Sequence, residues 1–305
     1  MIIDFHTHIF PDRIAERAVS SLRQNSHTLS FSDGTADGLL ARDKEAGIGL
    51  AVILPVATSP GQVQHVNDKA AKLNREQERL TAGSGNGDRS GLLSFASIHP
   101  DHPDAAGELC RVKELGFKGV KLHPAYQGAD IDSLPFLRIL DCCARLDLIV
   151  VTHAGWDIGL PDFRHCMPDR IRRAVRTVDP EGKTLRLVAA HMGGWRVWKE
   201  VPDLLADTGV YLDTSFATGC FYPLNDGYYD GKDTGMLDEE GFMELYKTFG
   251  SGRILFGTDS PWSDAKESLA FIQKLPIMEE EKMQILGGTA MKLLGYAAWG
   301  DCKAM

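Results

Sequence analysis

Two histidines one residue apart, His6 and His8, close the first apolar run of the chain, Ile2-Ile3-Asp4-Phe5-His6-Thr7-His8. If residues 2–6 form a strand, side chains alternate between its faces, and His6 and His8 point the same way from its C-terminal end. Neutral imidazole is the commonest metal ligand among side chains, and two imidazoles on one face can share an ion. A lone His-x-His is a weak signal. It gains weight from later strand-like runs with the same kind of ending: 148–153 at His153, 185–191 at His191 and 253–259 at Asp259. Together these runs predict one site at the strand ends of a barrel.

The elements that would position these residues follow from the hydrophobic pattern. Strand-like runs fall at 2–6, 50–56, 92–98, 117–124, 148–153, 185–191, 209–214 and 253–258. Helical patterns fall between them, at 12–24, 36–46, 62–80, 102–115, 133–146, 166–177, 195–206 and 241–249, and helices near 263–274 and 279–294 close the chain. This alternation predicts an α/β fold, a single (β/α)8 TIM barrel domain over residues 1–305. In an open doubly wound sheet the ends of strands one, five, six and eight would be spread along a line. In a barrel they converge on one mouth. Gly83–Asp88 is turn chemistry. Residues 215–241, after strand seven, are rich in Gly, Asp and Tyr; a loop of that length is expected to act as a lid or an interface.

A length of 305 residues allows one large barrel with a sizeable core. A hydrophobic fraction of 43% with 25% charged residues is ordinary for a soluble globular protein. The net charge of −9 argues against a broad nucleic-acid or anionic-membrane surface, though a buried metal can still invert the local sign for an anionic substrate. No stretch approaches the roughly 20 apolar residues of a spanning helix. With a strand starting at Ile2 no signal peptide is read. The cysteines, Cys110, Cys142, Cys143, Cys166, Cys220 and Cys302, form no Cys-x-x-Cys pair, and reduced thiols in the cytoplasm are the expectation.

Several stretches resemble the amidohydrolase superfamily: Asp4-Phe5-His6-Thr7-His8-Ile9-Phe10-Pro11, His153, His191-Met192-Gly193-Gly194 and Gly257-Thr258-Asp259-Ser260-Pro261. More narrowly, the chain resembles the amidohydrolase-2 branch, which includes aminocarboxymuconate-semialdehyde decarboxylase and related decarboxylases and hydrolases. The ending Ile285-Leu286-Gly287-Gly288-Thr289-Ala290-Met291-Lys292-Leu293-Leu294 is similar to that branch's C-terminal helix, so the resemblance spans the chain. It implies that His6, His8, His153 and Asp259 bind one divalent metal, usually zinc, and that His191 beside it is a general acid/base. The residue types agree: three imidazoles and a carboxylate suit zinc or a similar borderline ion. Water on such an ion reaches a pKa of about 7, and a histidine near 6.5 exchanges protons in the same range. Plainer readings compete. Asp259 before Ser260-Pro261 can cap the next helix, His153 can be a core histidine, and His191 can be a metal ligand.

Lys121 and His123 lie two apart on the fourth strand and share a face. In some amidohydrolases a strand-four lysine is carbamylated and bridges two metals; Lys121 can do that or form a salt bridge inside the barrel. His123, the last residue before Pro124, is the better candidate for the substrate pocket. His99 can line the pocket or structure its turn. Trp156 and Trp195 can wall an apolar substrate, whereas Trp198 reads as packing. Arg164 can hold a substrate carboxylate bidentately. The expected function is hydrolysis of a small molecule by metal-bound hydroxide, with His191 and Asp259 as the catalytic residues. The alternative is nonoxidative decarboxylation of a small unsaturated or aromatic carboxylate, which needs a cation for that carboxylate. A TatD-type nuclease is disfavoured, because its metal-bridging glutamate has no counterpart where the strands end in His99 and His123. A catalytically dead barrel is disfavoured by the complete ligand set. The resemblance also allows a homodimer, for which 215–241 offers a surface.

Overall fold

Parallel strands covered on both faces read as continuous apolar runs rather than alternating ones, and such runs build the centre of this molecule. A computed structural model describes residues 1–82, 91–229 and 234–296. The strands are β1 (Ile2–Thr7), β2 (Ile48–Ile53), β3 (Gly91–Ser94), β4 (Ala96–Ser97), β5 (Gly119–Leu122), β6 (Ile149–Thr152), β7 (Leu187–Ala189), β8 (Tyr211–Asp213) and β9 (Ile254–Leu255). All pair in parallel, β1-β2-β3 and β4-β5-β6-β7-β8-β9. β3 and β4 are halves of one stave interrupted at Phe95: the first half bonds β2 and the second bonds β5. The circle closes between β1 and the run after β9. There Phe5 N donates to Phe256 O (2.8 Å), Asp259 N to His6 O (2.8 Å) and His8 N to Ser260 O (2.7 Å). The eight staves are the eight strands read from the sequence, and the fold is a TIM barrel.

The strands alternate as a barrel requires. Ile3, Phe5, Val52, Leu54, Phe95, Ile149, Val151, Val188 and Leu255 form one buried cluster inside the staves. Their neighbours, among them Val120, Leu122, Val150, Leu187 and Leu212, join the outer shell with the helices. Helices start and stop where side chains dictate. The helix Ala36–Ala46 is capped by Thr35 Oγ1 on Gly38 N and ends at left-handed Gly47. Two sequence assignments shift. The helix expected at 195–206 is a short 3-10 turn, Trp198–Glu200, followed by Val201–Leu205. The helix expected at 279–294 is interrupted by a π-helical turn, Gln284–Gly288. The reason is steric: a Cβ on Gly287 would sit 2.1 Å from Met1 O, and Ile285 O turns to accept Phe256 N at 3.0 Å. The turn expected at Gly83–Asp88 lies outside the described residues.

Asp43, in the helix Ala36–Ala46, is 1% exposed, and its Oδ2 has no hydrogen-bond partner. Burial, then the nearby Asp4 carboxylate, pushes its pKa up to about 8. Asp4 is itself raised to about 7, chiefly by burial. Between about pH 4 and pH 8 the folded state keeps a proton on Asp43 that the unfolded chain releases. Each such proton makes stability fall as pH rises, by up to about 1.4 kcal/mol per unit. Urea unfolding from pH 5 to pH 8 should show wild type losing stability relative to Asp43→Asn as pH rises, by one proton's share. An unaltered slope in the variant would mean that Asp43 is ionised in the fold.

Candidate metal centre and active site

At the mouth of the barrel, β1 slips register against β2 between Asp4 and Thr7. The slip turns the His6 ring into the site directly after Phe5 has filled the interior. Asp4 holds it in place: its Oδ1 accepts His6 N (3.2 Å) and Thr258 N (3.0 Å), and its Oδ2 accepts Thr258 Oγ1 (2.5 Å). His6 Nδ1 donates to Asp213 Oδ2 (2.9 Å), and His8 Nδ1 donates to Leu54 O (2.9 Å). Each carboxylate or carbonyl can only accept from the ring, so each Nδ1 carries the proton and each Nε2 presents a lone pair. Both lone pairs meet Asp259 Oδ1, at 3.0 Å from His8 and 3.4 Å from His6. Three such groups this close, with His6 fully buried, form a set that could hold a cation. A tetrahedral zinc with bonds of about 2.0–2.1 Å has edges of about 3.4 Å, which matches these separations. The outer hydrogen bonds to Asp213 and Leu54 are the kind that orient imidazoles on a metal. The residues fit a divalent ion.

The electrostatics agree. Burial, then the charge of Lys121, holds His6 well below its usual range, so the ring stays neutral. Burial pushes Asp259 up, but the polar influence of the imidazoles of His8 and His6 against it outweighs burial and keeps the carboxyl down at about 2. Lys121 Nζ lies 2.9 Å from His6 Nε2. Burial lowers its pKa to about 8, against the pull of Asp213 and Asp259. Lys121 is buried inside the barrel, within electrostatic reach of both carboxylates.

His153 and His191 form a second lone-pair encounter. His191 Nδ1 lies 2.8 Å from Ser215 O, and His153 Nε2 lies 3.2 Å from Trp156 O. With protons on those nitrogens, His191 Nε2 and His153 Nδ1 face each other as acceptors at 3.0 Å. They too require a shared proton or an ion. His123, His153 and Asp157 are also close enough to hold a metal. The His123 and His153 rings, however, are stacked 4.5 Å apart at 19°, so their in-plane lone pairs run parallel and do not converge. His123 instead bonds Asp157 Oδ2 through Nε2 (3.3 Å), and its Nδ1 accepts Tyr126 N (3.5 Å). Burial pushes Asp157 up, but the His123 hydrogen bond and charge hold it at about 2.

Backbone strain marks the same residues. His191 (φ 57°), Met192 (φ 55°), Phe216 (φ 44°) and Asp259 (φ 64°) are left-handed. Such residues cost about 1–3 kcal/mol each and persist where surrounding contacts fix them. Here Asp213 Oδ1 accepts His191 N (3.0 Å), and His6 O accepts Asp259 N. The loops after β6 and β7 cross so tightly that a Cβ on Gly155 (φ 87°) would lie 2.2 Å from Trp195 N.

A cavity of about 770 Å³ opens from this cluster, lined by His6, His8, Lys121, His123, His153, His191 and Asp259 and walled by Tyr126, Trp156, Trp195, Phe216 and Trp262. Trp198 packs outside and donates Nε1 to His191 O (2.9 Å). His99 belongs to its turn, accepting Asp101 N (3.1 Å) on Nδ1, and is absent from the lining. Arg164 also lies outside the lining. Its guanidinium stacks on Trp156 at 3.8 Å and donates to Pro161 O and Phe163 O, so it braces a wall of the cavity. The excursion after β8 is tethered to the end of the first helix: Leu29 N donates to Tyr222 O (2.9 Å) and Leu224 N to His27 O (2.9 Å). Phe216 from this excursion walls the cavity; residues 230–233 of it lie outside the description. The sequence reading missed Asp157, Asp213, Ser215 and Tyr126. Asp213 carried a usable signal, since it ends its strand as Asp259 ends the eighth.

The site is thus a histidine and carboxylate cluster at the C-terminal mouth of an α/β barrel, the position at which TIM-barrel enzymes act. The chain belongs to the amidohydrolase family, whose profile matches residues 3–296. It is accordingly an enzyme of the metal-dependent amidohydrolase superfamily. No curated protein matches it in sequence. Among solved structures it is similar to a TIM-barrel protein from Bordetella bronchiseptica (18% identity, 97% of this chain and 99% of that one, TM-score 0.70). It is also similar to a dihydroxybenzoic acid decarboxylase from Polaromonas with bound manganese and the inhibitor 2-nitroresorcinol (16%, 98% and 98%, TM-score 0.62). A third is a candidate 2-pyrone-4,6-dicarboxylic acid hydrolase from Pseudomonas putida (18%, 97% and 98%, TM-score 0.60). Among the described residues no helix is long and apolar enough to cross a membrane.

Asp213→Asn should weaken metal binding about 10–100-fold, as loss of a carboxylate behind a ligating imidazole does. Competition with a chromophoric chelator measures it, with circular dichroism as the control for folding. Equal affinity in the variant would remove His6 from the ligand set.

Proposed function

We propose that the protein is a metal-dependent hydrolase of a small molecule with a reactive carbonyl, working as one catalytic domain over residues 1–305. His6, His8 and Asp259 would hold one zinc ion. His153 would complete the set through Nδ1, its Nε2 being committed to the Trp156 carbonyl. When bound, such an ion polarises a carbonyl oxygen and acidifies a water. The observation that carries the reading is the orientation of His191. With Nδ1 fixed on Ser215 O, its Nε2 faces the ligand cluster as an acceptor, placed to take a proton from water and return it to the leaving group. Asp259, held ionised by the imidazoles around it, serves the ion and the attacking water together. His123 and Trp156 line the cavity where the substrate would lie.

A decarboxylase is the second reading, and two observations favour it. The Polaromonas neighbour is a decarboxylase, and Lys121 supplies a buried cation beside His6 for a carboxylate. Against it, among the described residues the only arginine in the cavity lining is Arg13, which is exposed. The proposal includes a cytoplasmic enzyme, supported by the free thiols of Cys110, Cys142, Cys143, Cys166 and Cys220. A homodimer remains part of the reading, with the 215–241 excursion offering a surface; no nucleic-acid partner is proposed for a chain of charge −9.

The zinc-loaded enzyme should be assayed on a panel of lactones, amides and aromatic or muconate-type carboxylates, following acid and carbon dioxide separately. Acid release without carbon dioxide, reduced about 10²–10⁴-fold in His191→Asn with metal content retained, is the expected result. Carbon dioxide that depends on His191 would replace the hydrolase reading with the decarboxylase one.

A further inference from the structure

The cavity extends well beyond the polar cluster. Along the helix Val63–Ala82 its lining residues are His65, Val66, Lys69, Ala70, Lys72, Leu73 and Glu76. Steps of three and four place them on one face, and from His65 to Glu76 that face runs about 16 Å at 1.5 Å per residue. Across from it, Ile9, Phe10, Ile14 and Leu22 line the same space from the first loop and the helix Asp12–Ser26. The charged groups on the first side, Lys69, Lys72 and Glu76, are exposed at its rim, and Lys72 is paired with Glu76 at 3.6 Å. The space therefore has a polar end, where the histidines and carboxylates meet, and an apolar arm between two helices. A one-ring acid would occupy the polar end and leave the arm wet, which apolar walls disfavour.

We propose that the substrate is amphiphilic: a reactive acyl head at the metal cluster joined to an apolar body longer than a single ring, lying in the arm between the helices Asp12–Ser26 and Val63–Ala82. This rests on the metal-dependent reading of the site, because the head must be held there. The arm itself is a separate feature, formed by residues that touch neither His6 nor Asp259 in any hydrogen bond or ion pair described above.

The test is a series of n-alkyl hydroxamates, from acetohydroxamate to decanohydroxamate, titrated calorimetrically into the zinc-loaded protein. The head reports on the metal and the chain reports on the arm. Affinity should rise about fourfold per methylene until the arm is filled. Val66→Trp and Leu73→Trp, which narrow the arm at two heights, should each flatten the series; melting temperature and bound zinc establish that each variant is folded. Acetohydroxamate that binds only with zinc, in a series with no dependence on length, would overturn the arm and leave the metal reading standing. Failure of every hydroxamate to bind the zinc-loaded protein would overturn the metal reading and this inference with it. A length dependence untouched by either variant would place the apolar body elsewhere.

Discussion

Buried lone pairs need a positive charge, and the mouth of this barrel is arranged around that need. Four imidazoles and a carboxylate converge there with little water to share. Each ring has one nitrogen tied to an acceptor: Asp213 for His6, Leu54 O for His8, Trp156 O for His153 and Ser215 O for His191. Each tie fixes a tautomer and leaves the other nitrogen as a lone pair directed inward. Without a cation such a cluster is costly to bury. A divalent ion would give the lone pairs of His6, His8 and His153 a common partner and leave that of His191 free for a proton. The left-handed backbones of His191 and Asp259 and the glycine at 155 are further consequences, because stave ends can bring these rings together only by turning more sharply than ordinary residues turn.

The barrel beneath supplies rigidity. Its interior is filled by Phe5, Phe95, Val151, Val188 and Leu255, a layer with no polar atoms in its side chains. The transition from that layer to the polar one happens within a residue on β1, where Phe5 is plug and His6 is ligand. Asp4 makes this possible by accepting the backbone N–H groups of both His6 and Thr258. It ties the first stave to the last at the height where the ring closes. The same carboxylate therefore serves closure of the barrel and position of two metal-ligand candidates, and its burial explains its raised pKa.

Much of this was legible in order alone. The staves were readable because strands buried on both faces leave dense runs such as Leu148–Thr152, cut by turn residues. Strand ends were readable because a polar residue after such a run has little structural reason to be His or Asp. The same rule, applied to Val210-Tyr211-Leu212-Asp213, finds Asp213, although no imidazole or proline adjoins it to mark it as functional. Asp157 was less accessible, since its importance depends on the four-residue path by which the loop after β6 folds back onto His123. The place of Arg164 was hard to read for a related reason. A guanidinium beside an indole in sequence can face a ligand or stack on that indole, and only the loop's path decides between them; here it stacks. The interruption at Gln284–Gly288 depended on Met1, at the far end of the chain, and no local pattern encodes such an approach.

The candidate ligand cluster and the proposed substrate arm lie on different parts of this fold. The ligand cluster hangs on stave ends, whose positions are tied to the hydrogen-bond ladder of the barrel and tolerate little change. The arm is formed by helices on the outside of the first staves, whose inward residues, such as Ile14 and Leu73, are held by packing alone. A change there alters shape without disturbing a tautomer or a ladder bond. Hydrolysis and decarboxylation would differ in where the substrate's carboxyl or carbonyl carbon rests relative to one ion, and under the amphiphilic-substrate proposal that placement would be influenced from the helix side. This separation gives a physical reason why one barrel family can hold both chemistries behind the same His-x-His opening: the ends of the staves fix what can be polarised, and the outer walls fix which carbon is presented to it.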